Sequence, residues 1–127
     1  MTFSDVKFGL LNVPPWNTAE PQTRRVVEAL ADDLAGAGAR QVDVAIGDQV
    51  TRLIELHRLI SGYEFGRSIA YERTRHQGQL SAVLREGRLA DGREVDSRRY
   101  PDLIREVASL RASLAEAFEG VDILVSP

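Results

Sequence analysis

His57, Ser61 and Glu64 supply the three side-chain types of a hydrolase triad within eight consecutive residues. A base, a hydroxyl and a carboxylate activate a nucleophile only when they converge on one another. Their spacing of four and three predicts that they share one helix, and neighbours on a helical face project roughly in parallel. His57 and Glu64 then stand two turns apart, about 10 Å along the axis. The spacing therefore argues for polar groups on a packed helix rather than for a proton relay. His57 and His76 are the two histidines of the chain. No carboxylate pattern supports them and their separation matches no zinc spacing, so no metal is expected.

Other motifs also read more simply than their chemistry suggests. The pairs Arg24-Arg25 and Arg98-Arg99 sit near expected helix starts among acidic residues, which argues against a nucleic-acid role. The sequence GAG at Gly36–Gly38 precedes a strand pattern, whereas a phosphate-cradling glycine loop follows a strand and opens a helix. It reads as a helix stop. Trp16, the single tryptophan, lies in the loop PPWN after an expected strand. Loops at the carboxyl ends of strands line ligand sites in α/β sheets, although a lone aromatic beside prolines also serves as a packing plug.

These residues need elements to hold them. Lys7 to Val13 is a short apolar run ended by Pro14-Pro15 and predicts a buried strand followed by a loop. A helix is expected from Pro21, with Thr18 or Glu20 near its cap and Val26, Val27, Leu30, Leu34 and Ala37 on its apolar face. Arg40 to Ile46 alternates and is rich in β-branched residues, which predicts a second strand. Strand, helix and strand in this order form a βαβ unit with a parallel pair. A long helix follows from Asp48 to about Arg75, with Val50, Leu53, Ile54, His57, Ile60, Glu64, Ser68 and Tyr71 along one side. Gly62 and Gly66 each weaken that helix by roughly 1 kcal/mol relative to alanine, or allow close packing against another helix. A short helix and polar turn come next. The last helix spans about Arg99 to Glu119, with Tyr100, Leu103, Ile104, Val107, Leu110, Leu114 and Phe118 on one face. Gly120 suits its C′ position, and Val121 to Val125 predicts a fully buried closing strand.

Bulk properties bound the answer further. The 127 residues, 43% hydrophobic and 28% charged, are those of one soluble globular domain. The net charge of −3 disfavours nucleic acid as a partner. The chain has no cysteine, hence no disulfide or thiolate metal site, which fits a cytoplasmic protein. No apolar run approaches the roughly 18 residues of a membrane span, and the first residues do not form a secretory signal. No membrane association is expected.

Three segments in order carry a resemblance to the amidase signature family. KFGLLNVPPWNTAEPQTRRVVEALADDLAGAGARQVDV resembles the family's strand, proline- or tryptophan-bearing loop, helix ending in an AGA-type turn, and next strand. ELHRLISGYEFGRSIAYERTRH resembles the helix that follows. YPDLIREVASLRASLAEAFEGVDILVSP resembles a further helix and the strand with a D-x-L-[LV]-x-P ending. The resemblance covers nearly the whole chain. It implies an α/β fold, with the βαβ unit, long helices and further strand belonging to a larger mixed sheet with helical layers. It also implies that residues 1–127 form one domain that is an incomplete portion of an amidase domain.

Members of that family hydrolyse amide carbon–nitrogen bonds without a metal or cofactor, using a nucleophilic serine, a second serine in a cis peptide and a lysine. This chain departs from that pattern. Its eight serines are scattered, with no adjacent pair and no glycine- and serine-rich signature, and Lys7 is its one lysine. No catalytic residue can be assigned, and the expectation is a segment cut from the family's C-terminal half, inactive alone. By the same analogy Trp16, Tyr63, Glu64, Phe65 and Tyr71 are candidates for shaping the substrate pocket. The implied partners are the remainder of the amidase polypeptide or a complementary chain. A small-molecule amide would bind only the intact enzyme. Unpaired sheet edges predict marginal stability or self-association. The alternative is a small non-catalytic α/β binding or regulatory module that pairs with a partner protein.

Overall fold

The computed structural model describes residues 3–127, the side chain of Pro15 excepted. The chain is a mixed α/β protein with more helix than strand. Strand β1 (Lys7–Leu10) leads through a 3-10 turn (Pro14–Thr18) into helix α1 (Pro21–Gly36) and then strand β2 (Arg40–Val42). Helices α2 (Gly47–Ser68), α3 (Ala70–Arg75), α4 (Ala82–Glu86), α5 (Arg88–Arg93) and α6 (Arg99–Ala117) follow, and strand β3 (Ile123–Val125) comes last. The three strands form one parallel sheet in the order β2-β1-β3. The expected βαβ unit is therefore present. Two compact units divide the chain, residues 1–51 with 112–127 and residues 52–111.

In the first unit, Pro21 takes the first turn of α1, where its missing N–H costs nothing. Gly38, at φ +99°, ends the helix region, and Gly120, at φ +76°, turns the chain toward β3. Both occupy a region that side chains with a Cβ rarely adopt. Phe8 is fully buried and centres a core with Val6, Trp16, Val27, Ala31, Ala39 and Val125. The face of α1 differs from the periodic expectation. Val27 and Ala31 pack inward with Leu34, while Val26 and Leu30 are 63% and 47% exposed. A narrow three-stranded sheet covers only part of the apolar stripe.

The strands are shorter than their apolar runs. Pairing of β1 with β2 stops at Gly9 opposite Val42. Val44 then leaves the ladder, and its side chain occupies the space that a Cβ on Gly9 would need. Tertiary filling of that gap ends the strand before Ile46. The closing strand corrects another expectation. Only Val125 is buried, while Ile123 and Leu124 are 43% and 38% exposed, because β3 is an edge strand. Asp122 fastens this edge. Its backbone N–H donates to the Lys7 carbonyl at 2.8 Å, and its Oδ2 accepts from the Lys7 backbone N–H at 2.8 Å.

In the second unit, Leu56, Leu59, Val95 and Leu103 form the buried core, with Ile60, Tyr63, Tyr100, Val107 and Leu110 against it. Most of this face of α2 is rotated from the predicted one: Ile54 is 49% exposed and His57 is exposed. The cause lies at Gly62. A methyl group there would sit 2.7 Å from the Arg88 carbonyl oxygen and 2.7 Å from the Gly92 nitrogen. One on Gly92 would sit 2.9 Å from the Tyr63 nitrogen. The backbones of α2 and α5 thus meet where neither carries a side chain, and this contact selects the buried face. Helicity breaks at Ile69, at φ −106° and ψ 35°, so the expected long helix is two helices. Arg52 joins α2 to α6 through a two-pronged pair, Nε to Glu106 Oε1 at 2.6 Å and Nη2 to Oε2 at 2.9 Å. That hydrogen bond holds the Glu106 carboxyl below its ordinary range.

Candidate functional site

Trp16 is placed by the 3-10 turn that Pro14 and Pro15 initiate, with the Trp16 N–H donating to the Val13 carbonyl at 2.7 Å. The indole is 7% exposed and belongs to the first core. Part of it also lines a recess of about 360 Å³ beside Leu11, Val13 and Pro127. Thr18, Thr23 and Ser126 add hydroxyl groups to the same recess. Leu11 and Ser126 directly follow the carboxyl ends of two parallel strands, which is where open α/β sheets place ligands. Trp16 is thus a packing plug that also presents an aromatic surface to a cavity of ligand size. A pocket of this volume lies at the small end of the range for organic ligands, roughly 300–1,000 Å³.

The recess lacks a set that could break an amide bond. The Ser126 hydroxyl donates to the Pro127 carbonyl at 3.4 Å, and no histidine, lysine or carboxylate lines the cavity. Thr18 and Ser126 were legible only once folding set the chain after β1 beside the chain after β3. The sequence signal for Ser126 is its place immediately before the closing proline of the D-x-L-[LV]-x-P pattern.

The second unit holds the remaining predicted site residues. Tyr63 stacks on Tyr100 with ring centroids 4.7 Å apart. The Tyr100 hydroxyl donates to Glu64 Oε1 at 2.5 Å, and that hydrogen bond to a carboxylate pushes the phenol above its ordinary value. Arg67 lies 5.6 Å over the Tyr63 ring and donates to its hydroxyl at 3.3 Å. Tyr63 and Glu64 are therefore brought together, with Tyr100 and Arg67 as partners that helical spacing alone did not identify. Phe65 instead faces Arg88, whose guanidinium lies 5.4 Å over its ring. Tyr71 is 66% exposed on α3 and touches the His76 ring, with centroids 5.4 Å apart.

Of the three residues of triad type, His57 is exposed and the other two are engaged elsewhere. The Ser61 hydroxyl donates to the Arg58 carbonyl at 3.5 Å, and the Glu64 carboxylate accepts from Tyr100. Among the described residues, no three His, Cys, Asp or Glu side chains gather closely enough to hold a metal ion. Among them, too, no helix is long and apolar enough to cross a membrane. No protein-family model matches the chain, and no curated protein matches it in sequence.

Proposed function

We propose that this chain contributes the ligand-binding wall of an amidase-type hydrolase and does none of the bond breaking itself. The recess at the carboxyl ends of β1 and β3, with Trp16 as its aromatic surface and no nucleophile–base pair, is the observation that carries this reading. Its apolar lining suits an acyl or alkyl group, and the hydroxyls of Thr18, Thr23 and Ser126 suit the polar end of an amide. In this proposal the serine pair and lysine come from the remaining amidase polypeptide or a complementary chain. β1–β3 then belong to a larger mixed sheet, and pairing along the β3 edge covers Ile123 and Leu124. The resemblance of the three sequence segments to the amidase signature family supports the assignment of reaction class.

Because Trp16 is the single tryptophan, its fluorescence reports this recess without labelling. Titrating the chain with hexanamide is expected to shift Trp16 emission saturably. Hydrolysis of the same amide by the chain alone is expected to equal the buffer rate. Turnover blocked by a serine-directed inhibitor would refute the division of labour. An emission spectrum unchanged to the solubility limit of the amide would refute the recess as its site.

A second reading rests on the exposure of Ile123 and Leu124 along an edge strand. In that reading the chain is a non-catalytic module that pairs its β3 edge with a partner protein. The Ile123→Lys, Leu124→Lys double variant would then abolish partner capture while leaving the Trp16 emission of the free chain unchanged.

A further inference from the structure

The second unit contains a cavity that the amide reading leaves unused. It has a volume of about 230 Å³ and lies along the seam where α2 meets α5. Three arginines line it, Arg67, Arg73 and Arg93. They come from three different helices, α2, α3 and α5, and each stands in the last turn of its helix. No acidic side chain is among the residues lining it.

Most other arginines with a described partner in this unit have carboxylates. Arg52 pairs with Glu55 and Glu106, Arg58 with Asp91 and Glu94, and Arg105 with Asp102. Asp91, which approaches Gly62, is already held by Arg58. Among the described residues, Arg73 and Arg93 make no ion pair, and Arg67 turns to the Tyr63 hydroxyl and ring. Helix carboxyl ends carry partial negative charge, which lets three cations gather in one place without a carboxylate between them. The gathering leaves their charge and most of their donors to solvent, since all three arginines are exposed.

Gly62, Gly66 and Gly92 also line the cavity. The close backbone approach at Gly62 and Gly92 brings α2 and α5 together, and so sets Arg67 and Arg93 at one cavity. Guanidinium groups are planar forks that match oxyanions through paired hydrogen bonds. Three forks from separate helices suit a tetrahedral group with several oxygens better than a planar carboxylate.

We propose that this cavity binds a phosphoryl group, held by Arg67, Arg73 and Arg93 above the glycine seam. The site stands independently of the Trp16 recess, so its failure would leave the amide reading unaffected.

Inorganic pyrophosphate titrated into the full chain provides the test, followed by calorimetry and by amide and arginine Nε–H resonances. The expected result is saturable binding with shifts at Gly62, Gly66, Gly92 and the three arginines. Arg73→Gln and Arg93→Gln should each weaken binding about tenfold, equivalent to about 1.4 kcal/mol. Arg105→Gln should leave it within about twofold, because Arg105 belongs to a local pair outside the cavity. Affinity should fall with added salt. Citrate binding as tightly as pyrophosphate, shifts confined to other residues, or no saturation at millimolar pyrophosphate would each overturn the proposal. Flotation with vesicles containing phosphatidic acid separates the sources of the phosphoryl group. Flotation lost in the Arg73→Gln, Arg93→Gln double variant assigns the site to a lipid headgroup. Pyrophosphate binding without flotation assigns it to a soluble phosphate.

Discussion

Gly62→Ala is the substitution for which helix propensity and packing predict opposite signs. In an exposed helix interior, alanine in place of glycine stabilises by about 1 kcal/mol. Here the new methyl would lie 2.7 Å from both the Arg88 carbonyl oxygen and the Gly92 nitrogen, and 3.0 Å from the Asp91 Cβ. The two closest atoms belong to the backbone, so no rotamer change relieves the overlap. Restoring ordinary contact near 3.5 Å requires α2 and α5 to part by roughly 0.8 Å. A gap of that order forfeits a quarter to a half of the dispersion energy along the seam. Overpacking of this kind costs about 1–3 kcal/mol, and contact with two rigid backbone atoms places this site above the propensity gain. The expected outcome is a net loss of up to about 2 kcal/mol.

Urea denaturation should be followed by the near-ultraviolet dichroism of the stacked Tyr63 and Tyr100, which reports the unit containing the seam. Gly36→Ala is the control. Gly36 ends α1 with nothing within 4 Å of the added methyl, so it should be neutral or stabilising by up to about 1 kcal/mol. A Gly62→Ala midpoint at or above the original would refute the close approach of the two helices and the choice of buried face derived from it.

Two further outcomes follow from the same packing and electrostatics. Phe8→Ala removes a fully buried side chain from the first core and should cost about 3–5 kcal/mol, read as a lower urea midpoint of Trp16 emission. A loss below about 1 kcal/mol would show that Phe8 is not the centre of that core. The Tyr100 phenol is raised by its hydrogen bond to Glu64, so that contact supports the fold below the ordinary phenol value. Its contribution is lost as pH rises through the elevated folded value, above about 10. Absorbance at the phenolate band should show one tyrosine ionising late, and Glu64→Gln should bring that step down. An unchanged titration in Glu64→Gln would remove the carboxylate as its cause.

Local stereochemistry was legible in the sequence alone. Pro21 at a helix start, Gly38 as a helix stop and Gly120 at positive φ depend on a residue and its immediate neighbours. The parallel pairing of β1 with β2 was readable too, because a helical connection of that length joins strands that run the same way. The limits of each element were not. β2 ends at Val42 because Val44 fills the space over Gly9, and that depends on a side chain across the sheet. The buried side of α2 follows Gly62 rather than the strongest periodic stripe, because only there can another backbone come close. The glycine pair signalled close packing but could not name α5 as its partner.

The candidate sites divide in the same way. Sequence position gave Trp16 its place after a strand, and helical spacing placed Tyr63 and Glu64 on α2. Tertiary structure decided that Ser126 would join the Trp16 recess and that Tyr100 would engage Glu64. It also brought Arg67, Arg73 and Arg93 from three helices to one cavity, a grouping that no local pattern contains. Backbone preference is set by each residue and its chain neighbours, whereas a binding site is set by which distant segments the core forces into contact.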